Sequence, residues 1–326
     1  MTTTGSTATA PRAASRLPAG WVRLWSVYIA FAILVLFDLA ITPGFRNPAV
    51  IRSLLFESAP VILIALGQSL AIGTRGIDLS VGSVMALSSA VIGVTLSWDP
   101  IGGQGVSIAL GIGAGLCCGL LNGLLIALLR IDPLISSLSL LVAARGLAQA
   151  LLGGARADLP FDGAIPWLGG ATISVLPITA LVALGIALLF SFIVRRTTFG
   201  HYAVFAGASR TAAFLAGQPV RATLVFVYGL SGMLAGIAGL FATARLGAAD
   251  PNYIGVQFEL DAIAAAVIGG TPLSGGRVST IGTVFGVLLL EVLDASFIMN
   301  NVNSTYAQIL KAGFIIGALY LQRAGG

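Results

Sequence analysis

Charge is the property that this sequence has least of. Only 9% of its 326 residues are charged, and Lys311 is the one lysine among 17 basic residues. Soluble domains carry about 25% charged residues, so the composition excludes an ordinary soluble fold. The chain is instead 57% hydrophobic, with a mean hydropathy of +1.00. Apolar windows of about 20 residues recur along it, which is typical of membrane-spanning helices. The sequence therefore predicts an all-α polytopic membrane protein.

Residues that bind metals or carry out catalysis are equally scarce. His201 is the only histidine, and the adjacent Cys117 and Cys118 lie inside an apolar stretch, where they are typical of helix packing. The sequence contains no zinc-protease motif, no nucleophile elbow and no phosphate loop ending in Gly-Lys-Ser/Thr. We therefore expect no metal site and no ATPase site in this chain, and we predict that it is not an enzyme.

The apolar stretches fit ten spans, and arrangements with nine or eleven spans remain open. The ten run approximately over residues 22–42, 53–72, 81–97, 106–129, 134–152, 173–194, 222–244, 258–268, 281–298 and 306–321. Residues 1–21 are polar and rich in Ser, Thr and Ala, which predicts a disordered cytoplasmic tail. Residues 22–326 are predicted to form a single transmembrane domain.

Arginine positions predict the orientation of the spans. If the N-terminus lies inside the cell, eleven arginines fall in inner segments: Arg12, Arg16, Arg23, Arg75, Arg130, Arg195, Arg196, Arg210, Arg221, Arg277 and Arg323. Four fall in outer segments: Arg46, Arg52, Arg156 and Arg245. Because basic residues concentrate in cytoplasmic loops, this asymmetry predicts that both termini are cytoplasmic.

The longest polar segment, residues 195–222, is predicted to be cytoplasmic. It is too polar for another span and too rich in alanine for a random linker. Its pattern predicts two short helices, with a break near Gly207–Ser209 and with Ser209 capping the second helix. A connector lying on the membrane surface is the alternative, but its size and side favour a segment that docks another protein.

Two Gly-rich segments, residues 73–83 and 266–276, interrupt the spans. Non-helical backbone at membrane depth is tolerated only where it is buried in protein or lines a watery cavity. We therefore take these segments as candidates for hinges beside a translocation path, with Asp78 capping the third span. Tight turns without a gating role are the alternative. The candidate residues are Gly76, Asp78, Ser80, Gly82, Gly269, Gly270, Gly275 and Gly276.

Ionisable residues at membrane depth are functional candidates by default. Glu291 and Lys311 lie at equal chain distances on either side of a predicted turn near Asn301, and Asp294 lies one helical turn beyond Glu291. We expect Glu291 or Asp294 to neutralise Lys311, although separate snorkelling is the alternative. Intramembrane charges also leave open a second class of function, an ion-coupled secondary transporter or a channel.

Three stretches together resemble the sugar-importer permeases of the ABC class. They are "AIGTRGIDLSVGSVMALSSAV" from Ala71, "ELDAIAAAVIGGTPLSGG" from Glu259, and "GHYAVFAGASRTAAFLAGQPV" from Gly200. The resemblance runs from about residue 25 to residue 321, in the same order and spacing. These permeases belong to a family that also contains branched-chain amino acid permeases, which usually lack the "GIDLSVG" wording. The wording and the scarce intramembrane charge favour a neutral sugar over an amino acid as cargo.

The resemblance implies a fold similar to that of the vitamin-B12 importer permease. It further implies a second permease subunit, identical or unlike, a separate ATPase that binds ATP and Mg²⁺, and a periplasmic or lipid-anchored sugar-binding protein. The chain itself would lie in the bacterial inner membrane and would bind no cofactor and no nucleic acid. The resemblance places a coupling insert at about residues 198–219. The loop motif that couples to the ATPase falls on Gly200, Ala206, Gly207, Ala212, Ala213 and Gly217. The sequence departs from commoner members at Gln218–Pro219.

Overall fold

A computed structural model describes residues 19–99 and 103–324 of the chain. Most of the described residues are helical. Residues 1–18, most of the predicted cytoplasmic tail, lie outside the described part.

The long helices follow the predicted apolar stretches. They are α1 (Ala19–Ile41), α2 (Pro48–Gly73), α3 (Val81–Leu96), α4 (Gln104–Ala127), α5 (Pro133–Leu151), α7 (Ile178–Arg196), α10 (Val220–Leu246), α12 (Thr280–Met299) and α13 (Ser304–Ala324). Four further helices are short: α6 (Ala164–Gly170), α8 (Thr198–Ala208), α9 (Arg210–Leu215) and α11 (Phe258–Ile268).

Helix α2 begins at Pro48, five residues before the predicted span 53–72, and α5 begins at Pro133, one residue before the predicted span 134–152. The side chain of Asn47 accepts a hydrogen bond from the Ala49 amide, and that of Asp132 accepts one from the Leu134 amide. A proline follows each of these caps, and proline suits the first helical position because its missing N–H would have no partner there. Local sequence therefore sets the start of both α2 and α5.

Two short antiparallel strand pairs connect the helices. Strands β1 (Ala157–Asp158) and β4 (Ala248–Ala249) join the segment after α5 to the segment after α10. Strands β2 (Thr172–Ile173) and β3 (Leu176–Pro177) form a hairpin before α7. Each pair holds connecting segments of the chain together through the hydrogen bonds between its two strands.

Helices α4 and α10 pack closely because glycines face each other. A methyl group added at Gly119 would lie 2.9 Å from the Cα atom of Gly232, and one added at Gly115 would lie 2.8 Å from that of Gly236. Such small-residue contacts let two backbones approach closely in a membrane, where lipid supplies no hydrophobic force between helices. The glycine-rich stretches of the sequence thus form packing surfaces.

Six helices of the described part are long and apolar enough to cross a membrane: α2, α4, α5, α7, α10 and α12. Two shorter apolar helices cover residues 25–41 and 81–96. Helix α11 has 11 residues and a length of about 16 Å, which is short of the roughly 30 Å of a hydrocarbon core. A polytopic helical membrane protein is confirmed, whereas the count of ten spans stays a prediction.

Candidate functional site

The polar insert after α7 folds into α8 and α9. The Thr197 side chain accepts a hydrogen bond from the Gly200 amide, and the Ser209 hydroxyl oxygen accepts one from the Ala212 amide at 3.2 Å. Each hydroxyl therefore caps one short helix. The two predicted helices and the predicted cap at Ser209 are present, and the break between them falls at Ser209 itself.

One side of the insert packs against the bundle and the other side is apolar and exposed. The motif residues Gly200, Ala206, Gly207 and Ala213 are buried, whereas Ala212 and Gly217 are exposed. Phe214 and Leu215 in α9 are 74% and 79% exposed. An apolar patch at the tip of a polar segment is typical of a protein-binding surface.

The two Gly-rich breaks meet each other at the insert. The Gly276 amide donates a hydrogen bond to the Gly73 carbonyl oxygen, with a length of 2.9 Å. Gly207 of α8 lies against the same two groups, because a methyl group added there would overlap the Gly73 carbonyl oxygen. We call this meeting point of Gly73, Gly207 and Gly276 the insert junction.

The Arg75 side chain stabilises the insert junction through hydrogen bonds. Its Nε donates to the Ser274 carbonyl oxygen and its Nη2 donates to the Ala208 carbonyl oxygen, both at 2.7 Å. Arg75 has a φ of 62°, an uncommon backbone conformation for a residue other than glycine. One guanidinium group thus joins the first break to the second break and to the end of α8.

A buried polar cluster lies next to the insert junction, around Asp78 of the first break. The Asp78 carboxylate accepts hydrogen bonds from the Ser80 amide at 3.1 Å, the Ser80 hydroxyl at 2.6 Å and the Ser231 hydroxyl at 3.0 Å. Asn122 of α4 lies 3.5 Å away and accepts a hydrogen bond from Ser136 of α5. The cluster therefore connects the first break to α4, α5 and α10.

The expected cap of α3 is corrected by this geometry. The residue at the N-cap position is Ser80, and its side chain makes no capping hydrogen bond. Asp78 lies two residues earlier, so its carboxylate reaches the Ser80 amide rather than the free amides inside α3. It acts as a bridge between helices.

Most of the predicted path glycines pack between helices or form turns. Added methyl groups at Gly76, Gly82 and Gly269 would overlap atoms of other helices or loops. Gly270, Gly275 and Gly276 have positive φ values of 96°, 74° and 77°. Gly275 and Gly276 form tight turns at the insert junction, whereas Gly270 forms a turn beside Ser279. The predicted role of these glycines as hinges beside a path stays a prediction.

Lys311 of α13 lies between two aspartates. Its Nζ is 2.7 Å from Asp294 of α12 and 2.8 Å from Asp261 of α11. Glu291 makes no ion pair with it, and Asp261 was not expected. Side chains on a helix lean toward its N-terminus, so Lys311 leans toward the turn before α13 while Asp294 leans away from it. This lean matches Lys311 with Asp294 rather than with Glu291, one turn further away.

A cavity of about 590 Å³ opens at the end of the bundle away from the insert. We call it the far cavity. Its lining residues are Phe56, Glu57, Pro60, Met85, Ala242, Arg245, Leu246, Asn252, Tyr253, Ile254, Gly255, Val256 and Phe258. None of the predicted path residues lines it. The loop after β4 forms one wall, which hydropathy could not assign to a cavity.

Arg145 holds that loop in place from α5. Its Nη1 donates to the carbonyl oxygens of Pro251 and Ile254, both at 2.7 Å, and its Nη2 donates to that of Gly255 at 3.1 Å. Arg145 lies inside the predicted span 134–152, and its partners are backbone carbonyl groups far along the chain. Backbone carbonyl groups carry no sequence signal, which is why this contact was missed.

Comparison with known proteins identifies the family. Residues 50–319 match the family described as "Branched-chain amino acid transport system / permease component". The chain belongs to this permease family. It is 34% identical to the galactofuranose transporter permease protein of Escherichia coli (strain K12), over 96% of this chain and 92% of that protein.

Further relatives carry names of the same kind. The chain is 35% identical to the ribose import permease protein of Bacillus subtilis (strain 168), over 91% of each chain. It is also 35% identical to the fructose import permease protein of Bifidobacterium longum (strain NCC 2705), over 81% of this chain and 74% of that protein. No solved structure matches the chain. The resemblance to sugar-importer permeases of the ABC class, predicted from three motifs, is confirmed.

Proposed function

We propose that this chain is the membrane-spanning permease subunit of an ATP-driven importer for a small neutral sugar. The observation that supports it most is the match to sugar import permeases along almost the whole chain. The absence of a phosphate-loop motif in the sequence fits a subunit that depends on a separate ATPase. ATP and Mg²⁺ belong to that partner in this proposal, and a sugar-binding protein delivers the cargo.

The chain lies in the bacterial inner membrane in this proposal, with both termini and the insert in the cytoplasm. Eleven arginines on the insert side against four on the other support this orientation. The far cavity then faces outward. A second permease, identical or unlike, completes the path, and the subunit takes a fold of ten spans similar to that of the vitamin-B12 importer permease.

The insert is the surface that docks the ATPase. The exposed Phe214 and Leu215 supply the apolar contact, and a cavity of about 600 Å³ between α8 and the second break offers room for a partner element. When ATP closes the ATPase subunits, movement of the insert passes to both breaks through Gly207 and Arg75. The hydrogen bonds at the insert junction support this route.

Crosslinking tests the docking surface. Single cysteines replace Ala208, Thr211 or Phe214 in a background that lacks Cys117 and Cys118, and the permease is purified with its cognate ATPase. We expect a disulfide to an ATPase cysteine from Thr211→Cys and Phe214→Cys. Labelling of these positions only from outside the cell would contradict both the docking surface and the orientation.

Ligand screening tests the cargo. The cognate binding protein is screened against D-ribose, D-fructose, D-galactose, inositol and branched-chain amino acids, and we expect it to bind a sugar. Binding of an amino acid alone would replace the sugar by the cargo named in the family description. Ion-driven uptake by the isolated chain in liposomes, without any ATPase, would favour a secondary transporter.

A further inference from the structure

The far cavity reaches from the end of the bundle to its middle. Pro60, on its wall, lies 12 residues after the start of α2, a distance of about 18 Å along a helix of about 39 Å. Met85 of α3, which is fully buried, forms part of the cavity floor. The floor of the cavity therefore lies against the core of the bundle, at about half its depth.

A pair of opposite charges stands at the side of the far cavity. The Arg245 Nε lies 3.6 Å from a Glu57 carboxylate oxygen, and the Arg245 Nη2 lies 3.4 Å from the Ser53 hydroxyl. Both contacts are long, whereas an arginine carries five N–H donors and a carboxylate about four acceptor sites. N–H donors of Arg245 and acceptor sites of the Glu57 carboxylate thus remain for a ligand. This combination suits hydroxyl groups, because each hydroxyl both donates and accepts a hydrogen bond.

Aromatic rings complete the wall. Phe56, Tyr253 and Phe258 line the cavity, and the Arg245 guanidinium lies 4.9 Å from the centre of the Phe56 ring. The Tyr253 ring is 70% exposed. A mostly apolar and aromatic lining with a few polar groups is the usual composition of small-molecule sites, and 590 Å³ lies within their usual range of volume.

Hydrogen bonds hold the loop that contains Tyr253 in place, so this wall of the far cavity forms without a ligand. Arg145 binds three carbonyl groups of the loop that contains Tyr253. Asn252 in the same loop donates to the Gly154 carbonyl oxygen and accepts a hydrogen bond from Gln149. A preformed wall reduces the entropy that a ligand loses on binding, so even a small cargo gains from it.

We propose that the far cavity is the site where the permease itself receives the sugar, with Glu57 and Arg245 bonding its hydroxyl groups and Tyr253 contacting its ring, while Phe56 positions the Arg245 guanidinium. This proposal rests on the proposed function and adds a sugar site to it. The ligand class is a neutral cyclic polyol of pentose or hexose size. An opposite-charge pair also suits the ammonium and carboxylate groups of an amino acid, and the cargo screen above distinguishes the two.

The test uses the complete transporter in liposomes: permease, ATPase and the binding protein loaded with the radiolabelled sugar that it retains in the screen. Uptake and ATP hydrolysis are measured together for Arg245→Met, Glu57→Gln and Tyr253→Ala. We expect Arg245→Met to lower the sugar moved per ATP about tenfold or more, since bonds to charged groups contribute that much. ATP hydrolysis stimulated by the binding protein should stay within twofold of the unaltered transporter.

Arg156→Met is the matched control, because Arg156 pairs with Asp158 in an exposed ion pair outside the cavity. It should change neither quantity. Tyr253→Ala removes an exposed ring, so it serves if Arg245→Met fails to assemble. Unchanged sugar per ATP in both variants overturns the site. Loss of the stimulation itself also overturns it, since the residues would then dock the binding protein. Neither result alters the cargo screen or the test for ion-driven uptake, which decide the proposed function.

Discussion

Gly207→Ala is the most direct perturbation of the insert junction. The added methyl group would overlap the Gly73 carbonyl oxygen and lie 2.9 Å from the Gly276 nitrogen, two groups that are bonded to each other. These two atoms and the Gly73 carbonyl carbon beside them all belong to the backbone, which has no side-chain rotamer by which to move aside. The methyl group therefore separates α8 from the two breaks or breaks the hydrogen bond between them.

The expected cost follows from packing. Forcing a methyl group into a filled site costs about 1–3 kcal/mol. Alanine gains about 0.5–1 kcal/mol over glycine in a helix, which offsets part of this cost. The matched control is Gly185→Ala in α7, where no atom lies within 4 Å of the added group. The control gains the helix term without the clash, so the two variants should differ by about 1–3 kcal/mol.

The assay is thermal unfolding of the purified complex, combined with sugar uptake per ATP in liposomes. A difference of 1–3 kcal/mol shifts the equilibrium between an engaged and a separated junction by about 5- to 150-fold. Gly207→Ala should lower both thermal stability and uptake per ATP, whereas Gly185→Ala should keep or improve stability. Equal behaviour of the two variants would refute the view that the junction carries force from the insert to the spans.

Three further changes test the polar contacts. Arg75→Ala should uncouple ATP hydrolysis from uptake. Arg75→Lys should not restore the coupling, because a single ammonium group does not reproduce the planar guanidinium that reaches two carbonyl groups. Preserved coupling in Arg75→Ala would contradict this role. Asp78→Asn should destabilise the complex by about 1–3 kcal/mol in thermal unfolding, since its amide group would face N–H and O–H donors; unchanged stability would remove its bridging role. Lys311→Met should lower expression and stability by leaving two aspartates face to face, and adding Asp261→Asn should restore part of the loss; a double variant no better than the single would refute the pairing.

Hydropathy predicted the long helices, whereas the short α6 and the start of α2 at Pro48 were not predicted. Stretches of about 20 apolar residues gave the spans, and Asn47, Asp132 and Ser209 mark helix starts through contacts within three residues. Such signals depend only on neighbours in the chain, so one sequence contains them in full. The insert and its two helices were predictable for the same reason.

Contacts between distant residues were not predictable. Arg75 bonds to Ala208 and Ser274, which lie 133 and 199 residues away, and its partners are carbonyl groups that every residue has. The partner of Lys311 was predicted only in part, since α12 and α13 form a hairpin but Asp261 arrives from α11. The far cavity was missed because its wall is a loop whose position depends on Arg145, far along the chain.

Helices α2 and α10 connect the insert junction to the far cavity. Both begin or end at the junction side, and Phe56 of α2 and Arg245 of α10 line the cavity at the other end. The two helices are in close contact midway, where a methyl group added at Gly67 would lie 2.9 Å from the Cα atom of Ser231. They are therefore expected to move together.

The length of these helices amplifies small movements. Helix α10 has 27 residues and a length of about 40 Å. A tilt of about 5° about its insert end moves the far end by about 3.5 Å, close to the van der Waals separation of two carbon atoms. A shift of this size carries Arg245 and Glu57 together past the loop of Tyr253, which Arg145 of α5 holds, and so changes the shape of the far cavity. We therefore expect α2 and α10 to transmit movement between the insert junction and the far cavity. A variant at either site should lower the sugar moved per ATP. Only a variant at the junction should weaken the packing of the insert.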